Sequence, residues 1–485
     1  MRSVLLGGLT ALLSLPLSVL SASASSSTTS ANDNEVHLPE TFTPPQVFQH
    51  TNLLRTIDIS KPYLRETIAA IVENTSEESQ SEYYLPIPKD QVGKISYIEA
   101  RDKKGDLGEF EVKKVVYDDS KSTQYYAIHL PKPLAPSTPL TLQITLASTH
   151  SHLADPASIA QSDKQYLSFK TPSLARVAYP TLKQKTKITA PNSDIPDYTK
   201  DGVEVSKSGA VLTYGPFTET KPSDKGQLLF VRHEYTAPVI HMTKLERDIE
   251  VSHWGGNLAI EDRYWMENAG AKLDGHFSRV QWVQSQYYKP PTSAIKLLTV
   301  PLTPGARDVY FTDEIGNVST SRYRSNLREA TLELRPRFPI FGGWNYSFTI
   351  GYNYELPSFL KKLEGEKFML KVPLFEGPSD STVVDEAVVR VVLPEGATGV
   401  QWETTVPVES AEVGLWKTYM DTVGRTTVEL KVRNVVDEWR GRELFVTYEY
   451  PFFAQLRKPL VFVAGFFTVF IVTWIVGSID LNIAK

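Results

Sequence analysis

An uninterrupted apolar run near the C terminus, residues 459–479 (PLVFVAGFFTVFIVTWIVGSI), constrains this chain more than any other stretch. It holds no charged side chain, and at 1.5 Å of rise per residue a helix of this length crosses the ~30 Å hydrocarbon core of a bilayer. Arg457 and Lys458 bound it on one side and Asp480 on the other, while Trp474 and the Phe-rich first half suit the interfaces. A buried helix of a soluble core is the alternative, but such helices usually keep a polar face. The run reads as a membrane span followed by a cytosolic tail of residues 480–485, so nearly all of the chemistry lies before it.

The N terminus orients the span. Met1-Arg2 is a short basic start, residues 4–20 are an apolar stretch, and Ala22-Ser23-Ala24 is a small-residue cleavage pattern, together a signal peptide over residues 1–24. Signal and late span predict a single-pass protein with its bulk in the secretory lumen. Arg457 and Lys458 then lie on the lumenal side, against the positive-inside bias, which a cleaved signal overrides.

The remaining length exceeds one ordinary domain. The chain has no cysteine, which in a lumenal protein excludes disulfides, thiol catalysis and Cys-ligated zinc. A formal net charge of -5 offers no basic footprint for nucleic acid.

Residues 25–46, which open on a Ser/Thr/Asn-rich lead, are expected to be disordered. Beyond them period-2 alternation dominates, at 55–59, 140–146, 346–352, 428–432 and 444–448. Prolines 131, 133, 136 and 139 argue against helix before residue 140. Residues 171–223, rich in Pro, Lys, Thr and Ser, read as an irregular edge or a linker, and short helices are expected at 158–165 and 358–363. An internal echo joins two halves: residues 55–60 (RTIDIS) resemble residues 247–252 (RDIEVS), and an acidic-Asn pair follows each, Glu73-Asn74 and Glu267-Asn268. The expected architecture is mainly β, with two tandem antiparallel β-sandwich-like lumenal domains at 47–225 and 226–452, then a transmembrane helix at 459–479. Residues 452–458 form a short tether that keeps the second domain at the bilayer, with Phe452 and Phe453 dipping into the interface.

Catalytic motifs are missing: no G-x-S-x-G, P-loop, H-E-x-x-H or D-x-D occurs. Asp118-Asp119 and Asp313-Glu314 read as solvated loops, His150 and His152 as a surface pair lacking a third ligand, and His253 with Gly255-Gly256 as a structural turn. No catalytic, cofactor-binding or metal-ligating residue is expected. Three N-x-S/T sequons, at Asn74, Asn317 and Asn345, are candidate N-glycosylation acceptors on exposed surface. Trp254, Trp265, Trp282 and Trp344 serve either core packing or sugar stacking. In the span, Ala464 and Thr468 form a small-x-x-x-small spacing for a partner helix.

Long blocks carry a more specific signal. Residues 249–255 (IEVSHWG), 275–279 (GHFSR), 308–320 (DVYFTDEIGNVST) and 335–344 (RPRFPIFGGW) resemble the signature blocks of the ribophorin I family. Residues 179–181 (YPT) with 197–200 (DYTK), 214–217 (YGPF), 392–396 (VLPEG) and 419–425 (YMDTVGR) support the resemblance, in the family's order from about residue 47 to the end of the span. It implies an accessory, non-catalytic subunit of the endoplasmic-reticulum oligosaccharyltransferase, which moves a glycan from dolichol diphosphate to Asn of N-x-S/T sequons. The implied partners are a catalytic multi-spanning subunit, other subunits of the complex and nascent polypeptides; no bound cofactor is implied. Animal members carry a longer cytosolic extension, a departure that leaves open whether ribosome docking through one carries over from the resemblance. A single-pass lumenal cargo receptor or chaperone-like interaction protein is the alternative function.

Overall fold

The computed structural model describes residues 35–39, 42–104, 107–116, 123–222, 224–288, 290–379, 381–418 and 421–479. The signal peptide, residues 25–34 of the lead and the tail fall outside the described residues. The chain is mainly β, with several sheets and one long C-terminal helix, Phe452–Ser478.

Each half is organised around one antiparallel hairpin. In the first, Phe48–Asp58 pairs with Leu64–Asn74, and in the second Ile240–Ser252 pairs with Asn257–Asn268. Alternating apolar residues place one face of each strand in a core, as in the buried-intermediate alternation of Asn257–Asn268. The outward flank of each hairpin extends antiparallel, through Pro139–Ser148 and Asn345–Glu355. The inner flank is parallel in both: Thr181–Thr189 lies along Phe48–Asp58, and Val383–Glu395 along Ile240–Ser252. The halves are therefore mixed sheets with one central parallel pairing, where purely antiparallel sheets were expected.

The echo read from residues 55–60 and 247–252 extends through this architecture. Both hairpins carry a bulge four residues before the arginine, at Thr51 and Thr243, whose hydroxyls bond the carbonyls of Ile71 and Trp265 across the hairpin. Phe48 faces Asn74 and Ile240 faces Asn268 in register. A second, four-stranded sheet covers each half: Tyr166–Pro172 and Leu228–Glu234 pair in the first, Lys367–Pro373 and Glu443–Glu449 in the second.

Leu228–Glu234 thus belongs with first-half strands, and strand pairing crosses the expected 225/226 boundary. The passage between halves falls at residues 235–239, just before Ile240–Ser252 begins. Residues 181–189 are no edge or linker but a central strand. Their inward set is largely polar, Thr181, Gln184 and Thr186 beside Ile188, which hid the alternation. Gln184 accepts from the Ala175 amide at 3.1 Å and Thr186 donates to the Ser173 carbonyl at 2.7 Å, so these polar groups are satisfied inside. Neither expected short helix forms: residues 158–159 are a short strand, and Leu356–Ser358 is a single 3-10 turn followed by strand. A helix does form at Arg279–Tyr288. Part of the expected disordered lead is ordered, since Glu35–His37 pairs in parallel with residues 114–116.

Buried arginines tie the layers together. Arg55 forks onto Glu66 (2.6 and 3.1 Å) and donates to the Pro172 carbonyl of the covering sheet at 2.6 Å. Arg247, with no exposed surface, donates from Nη1 to Asp262 (2.7 and 2.9 Å) and the Tyr352 hydroxyl (3.0 Å), and from Nη2 to Glu376 (2.9 Å) and the Pro373 carbonyl (3.4 Å). Pro172 and Pro373 end equivalent covering strands. Burial pushes the Asp262 carboxyl up to about 6 in spite of Arg247, and the neighbouring Glu376 adds to the rise. Removing the arginine strands two buried carboxylates, so Arg247→Ala is expected to cost about 3–5 kcal/mol in denaturant unfolding. Asp262→Asn, which keeps the shape and removes a charge that burial already disfavours, is expected to cost less.

Candidate functional site

The strand Val383–Glu395 ends in a turn, residues 394–397, against which the C-terminal helix begins. Glu395 organises the facing loop: one carboxylate oxygen accepts from the amides of Thr422 and Val423 at 2.7 Å each and from the Thr422 hydroxyl at 2.6 Å. Asp421 in that loop accepts from the Thr418 amide (2.9 Å) and hydroxyl (2.6 Å), with Arg425 at 3.4 Å. Its other oxygen lies 3.1 Å from Nζ of Lys458, and the Asp421 side chain has no exposed surface. Burial pushes the Asp421 carboxyl up, but the Thr418 hydroxyl and amide, Lys458 and Arg425 together outweigh it and hold it at about 2.

Two further contacts seat the helix. Pro451 at its N-cap offers no side-chain cap, and Glu366 accepts instead from the first helical amide, Phe452, at 3.0 Å. A carboxylate here also meets the positive end of the helix dipole. Gly396 sits at φ +90°, and a Cβ there would lie 3.0 Å from Cβ of Ala454, so a glycine admits the first turn. Residues 452–458, expected as a tether, are therefore the first turns of the same helix that continues through Pro459. Two supporting blocks of the sequence, residues 392–396 and 419–425, contribute Glu395, Gly396, Asp421 and Arg425 to this socket. Phe452 and Phe453 remain exposed at its rim.

Beside the socket runs a groove of about 310 Å³, bordered by Glu250, Glu261, Arg263, Tyr310, Arg390 and Trp416. The Arg390 guanidinium lies over the Trp416 ring at 5.8 Å, and the Tyr310 hydroxyl donates to Glu261 at 2.5 Å. Tyr310 lies across Gly351, where a Cβ would overlap its ring. Mixed charge beside exposed aromatic faces can hold a polar, extended ligand. Sequence reasoning missed this face because these six residues come from five strands. Of the tryptophans it did single out, Trp282 and Trp344 pack half-buried with Phe277 and Phe341, Trp265 lies under Lys244, and Trp254 projects from a turn.

The other singled-out residues separate cleanly. Asn317 and Asn345 are exposed. Asn74 is not: it is fully buried, and its amide donates to the carbonyls of Glu78 and Leu134 at 2.8 Å each. Asn268 makes the equivalent bonds to Ser293 and Ile340, so the acidic-Asn echo marks a structural strand end, and the expectation of an exposed sequon at Asn74 does not hold. Asp313 is no solvated loop residue, being ion-paired with Arg337 at 2.5 Å, whereas Asp118-Asp119 lies outside the described residues. His253 donates to or accepts from the Tyr448 hydroxyl at 2.7 Å and packs on Phe368 and Tyr450.

His150 and His152 are not a surface pair. The His152 ring lies against His233 and Phe169, and burial, reinforced by His233, pushes it down to about 3. His150 instead meets His241 and Asp385, which come from the second half. Within the span, Ala464 and Thr468 share a face, and the Thr468 hydroxyl donates to the Ala464 carbonyl at 2.8 Å.

Residues 48–477 match the ribophorin I family. The dolichyl-diphosphooligosaccharide–protein glycosyltransferase subunit 1 of Caenorhabditis elegans is 32% identical over 90% of this chain and 73% of its own length. Subunit 1B of Arabidopsis thaliana is 31% identical over 92% of this chain and 96% of its own. Among solved structures, yeast LTA4 hydrolase aligns with 42% of this chain and 31% of its own at 10% identity and a TM-score of 0.26, too distant to bear on the fold.

The depressed carboxyl of Asp421 sets a pH dependence. Its contribution is present above the unfolded value near pH 4 and is lost as pH falls toward about 2. In denaturant unfolding, wild type is expected to exceed Asp421→Asn by about 2 kcal/mol at neutral pH. The two curves are expected to converge by about pH 2.

Proposed function

The chain belongs to the ribophorin I family, and on that premise we propose that it is a non-catalytic subunit of the endoplasmic-reticulum oligosaccharyltransferase. It spans the membrane once, with its β-body in the lumen. There it braces the catalytic multi-spanning subunit and keeps acceptor polypeptide near the reacting centre, supporting glycan transfer from dolichol diphosphate to Asn of N-x-S/T sequons. The names of its relatives as glycosyltransferase subunits support membership of that complex. The observation that carries the bracing role is the ion-paired socket, in which Asp421 binds Lys458 and Glu366 caps the helix. A helix seated this way transmits the position of the span to the β-body, and fixed placement of reactants lowers a barrier without adding a reacting group. The groove beside Trp416 is the surface on which an acceptor chain is held. Two domains, divided at the passage of residues 235–239, act as one arm. The exposed Asn317 and Asn345 are themselves acceptor sites, and Ala464 with Thr468 packs on a helix of the complex.

A ten-residue Gly/Ser insertion after Pro451 tests the brace. We expect the purified complex to retain its subunits but transfer lipid-linked glycan to an N-x-T peptide several-fold more slowly; unchanged transfer contradicts bracing. Ala464→Leu is expected to lower recovery of the chain with its complex in mild detergent, and full recovery would remove that face from the interface.

A further inference from the structure

We propose that His150, His241 and Asp385 form a site for a divalent transition-metal ion, Zn²⁺ foremost, that clips the two halves of the chain together. Their donor atoms lie within 4.8 Å of one another. His150 comes from the loop after Pro139–Ser148 in the first half, whereas His241 and Asp385 sit on the parallel strands Ile240–Ser252 and Val383–Glu395 of the second.

The hydrogen-bonding logic calls for a positive charge at one point. Nδ1 of His241 faces Glu267 at 3.1 Å, so a proton on that nitrogen is held by a carboxylate. Nε2 of the neutral ring is then a lone pair, yet it lies 2.7 Å from Oδ1 of Asp385. Nε2 of His150 approaches the same oxygen at 2.8 Å. A neutral His150 ring can donate from Nε2, but His241 as a neutral ring cannot donate to both of its carboxylates, so the cluster takes up either an added proton or a cation. A carboxylate behind one imidazole, orienting its free nitrogen, is the arrangement that supports a metal-bound histidine. Two imidazoles and a carboxylate with one open position match three-ligand zinc coordination, while hard cations such as Mg²⁺ and Ca²⁺ favour oxygen donors. Zinc bonds of about 2.0–2.2 Å need donors roughly 3.3 Å apart, so entry of the ion lengthens the two imidazole–Asp385 contacts, now 2.7 and 2.8 Å, by about half an ångström. His150 is 43% and Asp385 33% exposed, which gives the ion a path in and a water as fourth ligand, while His241 at 8% anchors the site.

The sequence concealed this site because its ligands are far apart along the chain and because His152, the neighbour in the H-x-H pattern, turns into the first-half core. An occupied site would add a coordinate link to a junction already made by Asn434 bonding the carbonyls of Gly93 and Ile95 and by Trp439 bonding Ser96.

The test uses the full-length chain in detergent, without a polyhistidine tag, stripped with chelator and titrated with Zn²⁺ by calorimetry and with Co²⁺ by absorption. We expect one ion per chain, a tetrahedral Co²⁺ spectrum, a higher Tm with Zn²⁺ and no such shift with Mg²⁺ or Ca²⁺. His150→Ala, on an exposed loop, and Asp385→Asn, nearly isosteric, are each expected to weaken binding at least about 10-fold, and Glu267→Gln about 10-fold through the orientation of His241. Circular dichroism at the working temperature confirms that each variant is folded. Binding below one ion per chain, or equal in wild type and His150→Ala, overturns the site and leaves a protonated imidazole bridge as its description.

Discussion

Arg247 is a full charge with no exposed surface, and the second half of the chain is built around neutralising it. Its guanidinium bonds Asp262 within its own hairpin, Tyr352 on the next strand and Glu376 beyond the end of the covering strand. A buried charge of this kind adds little net stability compared with a well-packed apolar group. What it confers is alignment, because the planar fork satisfies these partners in only one relative position of the two sheets. Arg55 performs the same task in the first half with Glu66 and Pro172. Hairpin bulge, inward arginine and terminal asparagine recur together, so the repeat is a repeat of constraints as well as of strands.

That recurrence explains which parts of the fold were legible. Strands whose inner faces are apolar, such as Pro139–Ser148, Asn345–Glu355 and Glu443–Glu449, announce themselves by alternation. Thr181–Thr189 does not, because Gln184 and Thr186 are buried and bonded to loop backbone. Asn74 misled for the opposite reason: a sequon records three residue types, and burial of the amide depends on carbonyls four and sixty residues away. The helix Arg279–Tyr288 has no acidic first turn and no clear apolar stripe, so its composition hid it.

The site was legible in pieces. Residues 392–396 and 419–425 stood out as blocks, but only the fold shows that both blocks close on the start of the span. The same contact resolves the awkward charge beside the membrane. Lys458 is committed to Asp421, so on the proposed topology its ammonium acts as a docking group for the lumenal body. The groove near Trp416 was illegible because it is assembled from strands separated by more than a hundred residues.

The strands that leave the two halves have different destinies. Leu228–Glu234 runs through Tyr235 and Pro238 into the hairpin of the second half, whereas its counterpart Glu443–Glu449 runs through Tyr450 and Pro451 into the membrane helix. One exit therefore serves either to start another copy or to enter the bilayer. On the proposed topology the chain is coupled in series: the first half is joined to the membrane helix only through the second, as a trailing carriage is joined to the engine.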